Sequence, residues 1–366
     1  MTPAEKTQWV CDRARAVGFD LCGVAIPEQL TELAHLQEWL SRGYAGKMQY
    51  LHDARRADPK LALEGLRSLI VVALSYNTDK PYSTECAAEP SETPRGWISR
   101  YAWGDDYHEI LREKLNSLVA AMRAQFAEPF EARAHVDTGP IVERVAAKHA
   151  GLGWLAKNTC LINETLGSWL FLGVILTTLD LAPSLGASEK PPADLCGNCT
   201  LCLDACPTQA FAAPYVLDSR RCISYLTIEL RGVIPEALRP NMGNAVFGCD
   251  ICQDVCPWNR KAPVAPDQAF APRGCAQFST FAPELEAIAK LSQAEFSSLF
   301  RGSAIKRTKW RGLVRNACVA LGNAKIDAAS PARLQAVRIL KHLAASDDAL
   351  IAEHARWALA RLDASN

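Results

Sequence analysis

Eight of the fourteen cysteines in this 366-residue chain lie within residues 196–256, at spacings that suit metal ligation. The first run reads Cys196-Gly-Asn-Cys199-Thr-Leu-Cys202-Leu-Asp-Ala-Cys206-Pro207. The second reads Cys249-Asp-Ile-Cys252-Gln-Asp-Val-Cys256-Pro257. Thiolates in the first pattern hold 4Fe–4S clusters, three on one cluster and the fourth on its neighbour. The second run lacks its third cysteine, and Cys222, between the runs, can supply the missing ligand. By that crossing rule Cys196, Cys199, Cys202 and Cys256 hold one cluster, and Cys206, Cys222, Cys249 and Cys252 hold the other. A pair of zinc ribbons is the competing reading, but zinc closes with four ligands and has no use for a fourth cysteine before proline in each run. Disulfides are not expected, because no secretory signal or apolar membrane run is evident and a reducing, cytoplasmic setting follows. Cys11, Cys22, Cys86, Cys160, Cys275 and Cys318 show no ligand spacing and read as small packing residues.

Three other segments carry chemistry-bearing side chains. Residues 131–136 alternate as a short strand, Asp137 follows, and Thr138-Gly139-Pro140 breaks the strand before a helix expected over 141–150. A carboxylate at a strand tip beside a Gly-Pro turn is where open α/β sheets gather ligands, and burial would suit it to general-acid work. The local pattern by itself favours a plainer role, a turn carboxylate accepting backbone N–H groups. Residues 48–59 place His52, Arg55 and Arg56 ahead of Asp58-Pro59, where the chain must turn; a solvated helix end fits equally well. Finally Arg301, Lys306, Arg307, Lys309, Arg311 and Arg315 surround Trp310 with no acid before Asp327. Cations without counter-charge favour a phosphate-backbone site over a solvated helix face. Two weaker motifs are set aside. Gly151-Leu-Gly153-Trp-Leu-Ala156 follows a helix where a dinucleotide fingerprint needs a strand. Asp106-Tyr-His108-Glu-Ile-Leu111 lacks the glycine of a histidine motif for cobalt, so His108 is not assigned as a ligand.

The elements that must position these groups follow from periodicity. Buried strands are expected at 21–26, 69–74 and 169–179, helices at 30–40 and 107–126, and a surface loop at 78–93. Residues 181–194 read as a linker, 220–235 as a helical cover over the second cluster, and 281–300, 315–322, 334–344 and 351–362 as short helices. Their alternation of small and apolar residues suggests a HEAT-like repeat. Hydrophobic residues make up 49% and charged residues 22%, so a folded core is expected, and a net charge of zero excludes a global electrostatic case for nucleic acid. The expected architecture is an α/β (α+β) domain over 1–185, a ferredoxin-like two-cluster insert over 186–262 and an all-α repeat over 263–366.

Together these segments resemble epoxyqueuosine reductase, a family of iron–sulfur and cobalamin enzymes of tRNA modification. The resemblance spans nearly the whole chain. It rests on residues 48–59, on Ile98-Ser-Arg-Tyr-Ala-Trp-Gly-Asp-Asp-Tyr-His108, on Val136-Asp-Thr-Gly-Pro140 through Ala150-Gly-Leu-Gly-Trp154, and on the eight cysteines. Cys222-Ile-Ser-Tyr-Leu-Thr-Ile-Glu229 and Gly302-Ser-Ala-Ile-Lys-Arg307 through Arg315-Asn316 to Asn323 also carry it. Trp103 departs from the pattern, which expects a basic or small residue, and is expected to alter how its loop covers the cofactor. The resemblance implies reduction of the epoxide of epoxyqueuosine, at the tRNA wobble position, to the alkene of queuosine, the last step of queuosine biosynthesis. Two electrons and two protons enter and water leaves. The clusters would pass electrons to a base-off cobalamin, and Asp137 would be the proton donor, which reverses the preference for a plain turn residue. Arg56, Asn158, Leu161, Ser224, Thr227, Gln253 and Asp254 would contact the cobalamin. Lys306, Arg307, Lys309 and Arg311 would hold the anticodon stem, with the modified base unstacked in the pocket. A cytoplasmic monomer fed by an external low-potential donor is expected, without membrane contact. A cobalamin-dependent reductase of a small organohalide, a plain electron-transfer protein and a non-enzymatic tRNA-binding module are the alternatives.

Overall fold

A computed structural model of the chain describes residues 1–86, 93–186, 188–275 and 278–364. Its centre is a four-stranded sheet of β1 (Leu21–Ala25), β2 (Ser68–Ser75), β3 (Ala132–His135) and β4 (Leu170–Thr177), in the order β1-β2-β4-β3. Every pairing is antiparallel. The N-terminal region is therefore of the α+β kind, and the strand-tip rule for open parallel sheets does not explain where Asp137 lies. The continuous apolar run of β2 has a direct cause: both faces are covered. Ile70, Val72 and Leu74 point into one core, and Leu69, Val71 and Ala73 into another. Fully burying such a side chain stabilises by about 1.5–3 kcal/mol, so β2 anchors the register of its neighbours.

Helix α1 (Pro3–Val17) starts at a Thr2 capping box and ends at Gly18, whose φ of 97° suits a left-handed cap. It packs with α2 (Tyr107–Gln125) on one face of the sheet, through Val10, Ala14, Leu111, Leu115 and Met122. α3 (Glu143–His149) covers the other face with Val145, Ala146 and Ala147, and starts two residues later than the pattern predicts. The helix expected over 30–40 is a 3-10 segment, Thr31–His35, followed by a helical turn, Leu36–Ser41. The loop expected over 78–93 contains a helical turn, Ser83–Cys86, while 87–92 lie outside the described residues.

The two cysteine runs each form one helical turn, Leu201–Asp204 and Ile251–Asp254. The segment with Cys222 passes through a 3-10 turn, Ser219–Arg221, and a π-helical turn, Tyr225–Glu229. The C-terminal region ends in α4 (Lys309–Asn323), α5 (Pro331–Ala344) and α6 (Ala349–Asp363). α4 begins six residues before the helix read from the apolar pattern at 315 and takes in half of the basic window. It is buried from Gly312 to Gly322, and a Cβ on Gly322 would stand 2.8 Å from the Cα of Ala358, so only glycine lets α6 approach this closely. One apolar core runs from Val10 through β2 and α2 to Leu362, and Trp97–Ile98 pairs in parallel with Ala245–Phe247. No helix of the described residues is long and apolar enough to cross a membrane.

Candidate active site

β3 delivers the chain to a sharp turn. Asp137 stands at φ 54°, a left-handed conformation that a short polar side chain tolerates. Its N–H donates to Glu143 Oε1 at 2.7 Å, which ties the turn to the start of α3. Gly139 folds back against His135, where a Cβ would meet the imidazole at 2.6 Å. Arg56, buried behind the turn, donates to the carbonyls of Ile141 at 3.1 Å and Tyr50 at 3.2 Å.

The N-terminus of α2 faces this turn. Asp106 caps the helix by accepting from the His108 N–H at 3.1 Å, and the same Oδ1 lies 2.7 Å from His108 Nδ1. On the other side of the ring, Nε2 lies 3.5 Å from Asp137 Oδ2. The Tyr107 hydroxyl donates to that same oxygen at 2.9 Å. Tyr107 is held by stacking on Phe171 with ring centroids 4.3 Å apart, and His108 stacks on Tyr107 at 4.0 Å. Both imidazole nitrogens thus face carboxylates, an arrangement unlike that of a metal ligand.

The electrostatics follow from this geometry. Burial would lower the His108 pKa, but Asp106 and Asp137 lift it to about 9. Burial would raise that of Asp137; the bond and charge of His108, the Tyr107 hydroxyl and the charge of Arg307 outweigh it and hold the carboxyl below its usual value. The Asp137 side chain keeps 65% of its surface accessible because it looks into an open cavity and not into packed protein. Burial, reinforced by the Asp137 charge, pushes Glu143 up to about 8. The condition under which burial alone would make Asp137 an acid is not met: the groups shifted toward holding protons are its neighbours His108 and Glu143.

The cavity measures about 720 Å³, toward the upper part of the range for small-molecule sites. Asp137, Tyr107 and His108 form one wall, with Arg56 and Tyr50 beside them. Ser224, Tyr225 and Cys222 line it from the cysteine region, and Glu229 and Arg307 close a further side. Arg307 Nε and Nη2 bind the two Glu229 oxygens at 2.9 and 3.0 Å.

The eight cysteines gather in two sets. Cys196, Cys199, Cys202 and Cys256 line a second cavity of about 240 Å³, together with Trp258 and Asn158. Burial pushes the Cys202 thiol up to about 11, and the neighbouring thiols of Cys256, Cys196 and Cys199 push the same way. The Cys249 thiol is raised well above its usual value by burial and by Cys222 and Cys206, and Cys252 by Cys160, burial, Cys249 and Cys222. Thiols that raise one another's pKa within each set, four of them around the smaller cavity, are a donor set that a cationic, thiophilic group relieves, which fits iron–sulfur clusters. Cys222 belongs to the second set and also lines the large cavity, so that set adjoins the Asp137 site.

Of the residues expected to touch a cobalamin, Arg56 and Ser224 line the large cavity. Asn158 lies at the smaller one, its Nδ2 donating to the Cys252 carbonyl at 3.1 Å. Leu161, Thr227, Gln253 and Asp254 lie away from the cavity wall. Leu161 is buried in the core under α3. Thr227 bonds the Ile223 carbonyl at 2.7 Å and the Gly248 N–H at 2.9 Å. Gln253 accepts from Ser168 at 2.9 Å, and Asp254 accepts from the Ser83 N–H at 2.9 Å and from its hydroxyl. These bonds serve the protein's own turns, while Asp254 Oδ1 is buried without a hydrogen-bond partner among the described residues. Trp103 is buried in the core, donating to the Ile98 carbonyl at 2.6 Å, and does not cover the cavity.

The basic window is less uncompensated than it reads. Arg307 pairs with Glu229, and Arg311 with Asp348. Arg315 is fully buried and donates to the carbonyls of Leu226, Leu230 and Gly232 at 2.6–2.7 Å. Trp310 is half-buried, its indole bonded to the Leu291 carbonyl at 2.5 Å. Lys306 and Lys309 are exposed and form no ion pair among the described residues. Tyr107, Glu143, Tyr50 and Glu229 are site residues that the sequence reading did not single out as such; the run ending Asp106-Tyr107-His108, beside a helix start, was the available signal.

Known proteins match this arrangement over its full length. A family model for a 4Fe–4S double cluster binding domain matches residues 195–259, and one for epoxyqueuosine reductase QueG matches residues 56–138. An epoxyqueuosine reductase of Pseudomonas aeruginosa is 39% identical over 363 residues, covering 98% of this chain and 95% of that one. The chain belongs to the epoxyqueuosine reductase family. A relative from Gloeobacter violaceus is 46% identical, over 85% of this chain and 94% of its own. Among solved structures, an epoxyqueuosine reductase crystallised with an epoxyqueuosine-modified tRNA-Tyr stem loop aligns with a TM-score of 0.84 at 29% identity, covering 98% of this chain and 90% of that one. A Bacillus subtilis member, seen with its catalytic aspartate loop swung out of the active site, aligns at 0.83 with 28% identity, over 98% of this chain and 90% of its own. Family membership makes the chain an oxidoreductase, and its matched double-cluster domain contains all eight cysteines.

Proposed function

We propose that this chain reduces epoxyqueuosine at the wobble position of tRNA to queuosine, with Asp137 protonating the departing epoxide oxygen. The observation that carries this reading is the large cavity itself, with the Asp137 carboxyl on one wall and Cys222, from the second thiol set, on another. Acid and electron supply thus meet at one space. Two 4Fe–4S clusters would be held by the crossed cysteine sets and a cobalamin by the large cavity, with Arg56 and Ser224 among the residues that would contact it. Cobalamin supplies the low-potential nucleophilic centre that no side chain provides. The chain's residues do the rest: Tyr107 and His108 orient the Asp137 carboxyl, and Asp137 moves a proton to oxygen. Residues 1–185 form the cobalamin-binding catalytic unit, 186–262 the cluster unit, and 263–366 a HEAT-like unit whose Lys306 and Lys309 meet the RNA backbone. Arg307, beside Asp137, faces the substrate end of the cavity and is better suited to the modified nucleoside than to the anticodon stem. A cytoplasmic monomer reduced by an external low-potential donor completes the reading.

The test is anaerobic turnover of reconstituted protein with cobalamin, a low-potential reductant and tRNA carrying epoxyqueuosine, read by mass spectrometry of the digested nucleosides. Cobalamin-dependent loss of one oxygen is the expected result. Intact epoxyqueuosine, with clusters and corrin both bound, refutes the assignment and favours a small-molecule substrate.

A further inference from the structure

The overall reaction consumes two protons, and a carboxyl that is ionised at neutral pH has to be given the proton it delivers. The Asp137 carboxyl touches two proton-bearing groups, and they differ in kind, while Glu143 meets only its backbone N–H. The Tyr107 hydroxyl donates to Oδ2 at 2.9 Å, but burial and the Asp137 charge raise its pKa well above the ordinary phenol value, so it holds its proton. His108 faces the same oxygen at 3.5 Å and is backed by Asp106 at 2.7 Å on its other nitrogen. The row Asp106 Oδ1, His108 Nδ1, His108 Nε2, Asp137 Oδ2 runs from a partly exposed helix cap, 22% accessible at its carboxylate, to the cavity.

We propose that the Asp106–His108 pair is the proton supply of Asp137, passing a proton from solvent through the imidazole to the carboxyl that faces the epoxide. The inference rests on the proposed role of Asp137. The imidazolium Nε2–H bond breaks and an O–H bond forms at Asp137 Oδ2; that O–H bond then breaks as the proton passes to the departing oxygen. The neutral imidazole keeps its Nδ1–H toward Asp106 and regains its Nε2 proton from water in the cavity. No electrons move in this step. Asp106 fixes the ring orientation and stabilises its charged form, as a carboxylate behind a catalytic imidazole does. Tyr107 is a positioning residue that stacks on the ring and holds the carboxylate oxygen toward it. The ring's pKa of about 9 keeps the relay charged across neutral pH.

The charged and titratable groups around the relay are Asp106 and Arg112 on α2, Tyr107 with Tyr101 packed on it, Asp137 and Glu143 from the turn, and Arg307 from the C-terminal region. The experiment uses the reconstituted holoenzyme in single turnover across pH, with His108→Gln, His108→Ala, Asp106→Asn and Asp137→Asn variants. Wild-type rate is expected to fall as pH rises through about 9, where the imidazolium is lost. His108→Gln is expected to lose roughly 100-fold at neutral pH, within the span of general acid–base effects. Its rate should already be falling through the carboxylate range, because Asp137 must then draw its proton from water. Stem-loop affinity and the absorption spectrum of bound corrin should stay within about 2-fold of wild type, and added imidazole should restore His108→Ala. A His108→Gln enzyme with the wild-type rate and alkaline limit overturns the relay. So does loss of stem-loop or corrin binding in proportion to rate, which would make His108 a packing residue. If Asp137→Asn keeps full activity, the acid assignment itself fails; if that variant is inactive while His108→Gln is unaffected, only the relay fails.

Discussion

The cysteine region and the Asp137 corner meet at one cavity but are built in opposite ways. Seven of the eight thiols come from two runs of eleven and eight residues, 196–206 and 249–256, and each run folds as a single helical turn. Their geometry is local, and the metal chemistry follows from spacing. The acid corner draws on remote segments: Arg56 from a 3-10 turn, Tyr107 and His108 from a helix start, Asp137 and Glu143 from a strand-to-helix turn, and Arg307 from the C-terminal region. No member has a distinctive spacing to another, except Asp106 and His108. The difference teaches that a cofactor ligated by the chain leaves a pattern in sequence, whereas a tuned acid leaves only its parts.

Cys222 is where the two regions touch, and removing it should have the largest effect. Cys222→Ser is expected to shed about half of the bound iron, as one of two clusters loses a ligand, and to abolish turnover while the first cluster's signal remains in electron paramagnetic resonance. Full iron content in that variant would break the division into crossed sets. Asp137→Asn comes next: turnover should drop about 10²- to 10⁴-fold with corrin and tRNA still bound, because an amide cannot protonate an oxygen anion. Equal activity would separate the cavity from the chemistry.

A third effect concerns what joins the regions. Arg315 on α4 clamps the Cys222 segment through the carbonyls of Leu226, Leu230 and Gly232 and through Asn316 Oδ1. Arg315→Met leaves those acceptors buried without a donor, a cost of about 3 kcal/mol. Denaturant titration should show the loss, and iron retention on storage should fall with it. A stability change under about 0.5 kcal/mol would assign the segment's position to apolar packing alone.

The strands at 69–74 and 169–179 were legible because β2 and β4 are buried runs with a period that burial on both faces explains. The sheet's antiparallel order was not, since short apolar runs carry no direction. Gln253 and Asp254 illustrate a different gap between sequence and structure. Polar residues beside ligand cysteines look free to contact a cofactor, yet Ser168 and Ser83, 85 and 171 residues distant, bond Gln253 Oε1 and Asp254 Oδ2 and leave Asp254 Oδ1 buried without a partner among the described residues. His108 was visible in sequence as part of a near-match to a cobalt motif and was left unassigned as a ligand; its place between two carboxylates depended on Asp137, 29 positions away, folding back onto α2. The counter-charges of the basic window were hidden for the same reason. Glu229 and Asp348, 78 and 37 residues from their arginine partners, supply counter-charge that no window of sixteen residues contains.

Those ion pairs point to the smallest expected effect. Arg307 and Arg311 are committed to carboxylates, so replacing them disturbs ion pairs as well as any RNA contact. Lys306 and Lys309 have no such partners among the described residues, and ammonium groups free in solvent are the ones that release counterions when they meet phosphate. The double variant Lys306→Ala with Lys309→Ala should therefore weaken stem-loop binding and reduce the dependence of log affinity on log salt by about 1–2. It should leave single-turnover rate at saturating RNA unchanged, because neither residue lines the cavity. An unchanged salt slope would move the RNA backbone off this face of the helical unit. A changed rate at saturation would instead couple the face to the acid corner through Arg307.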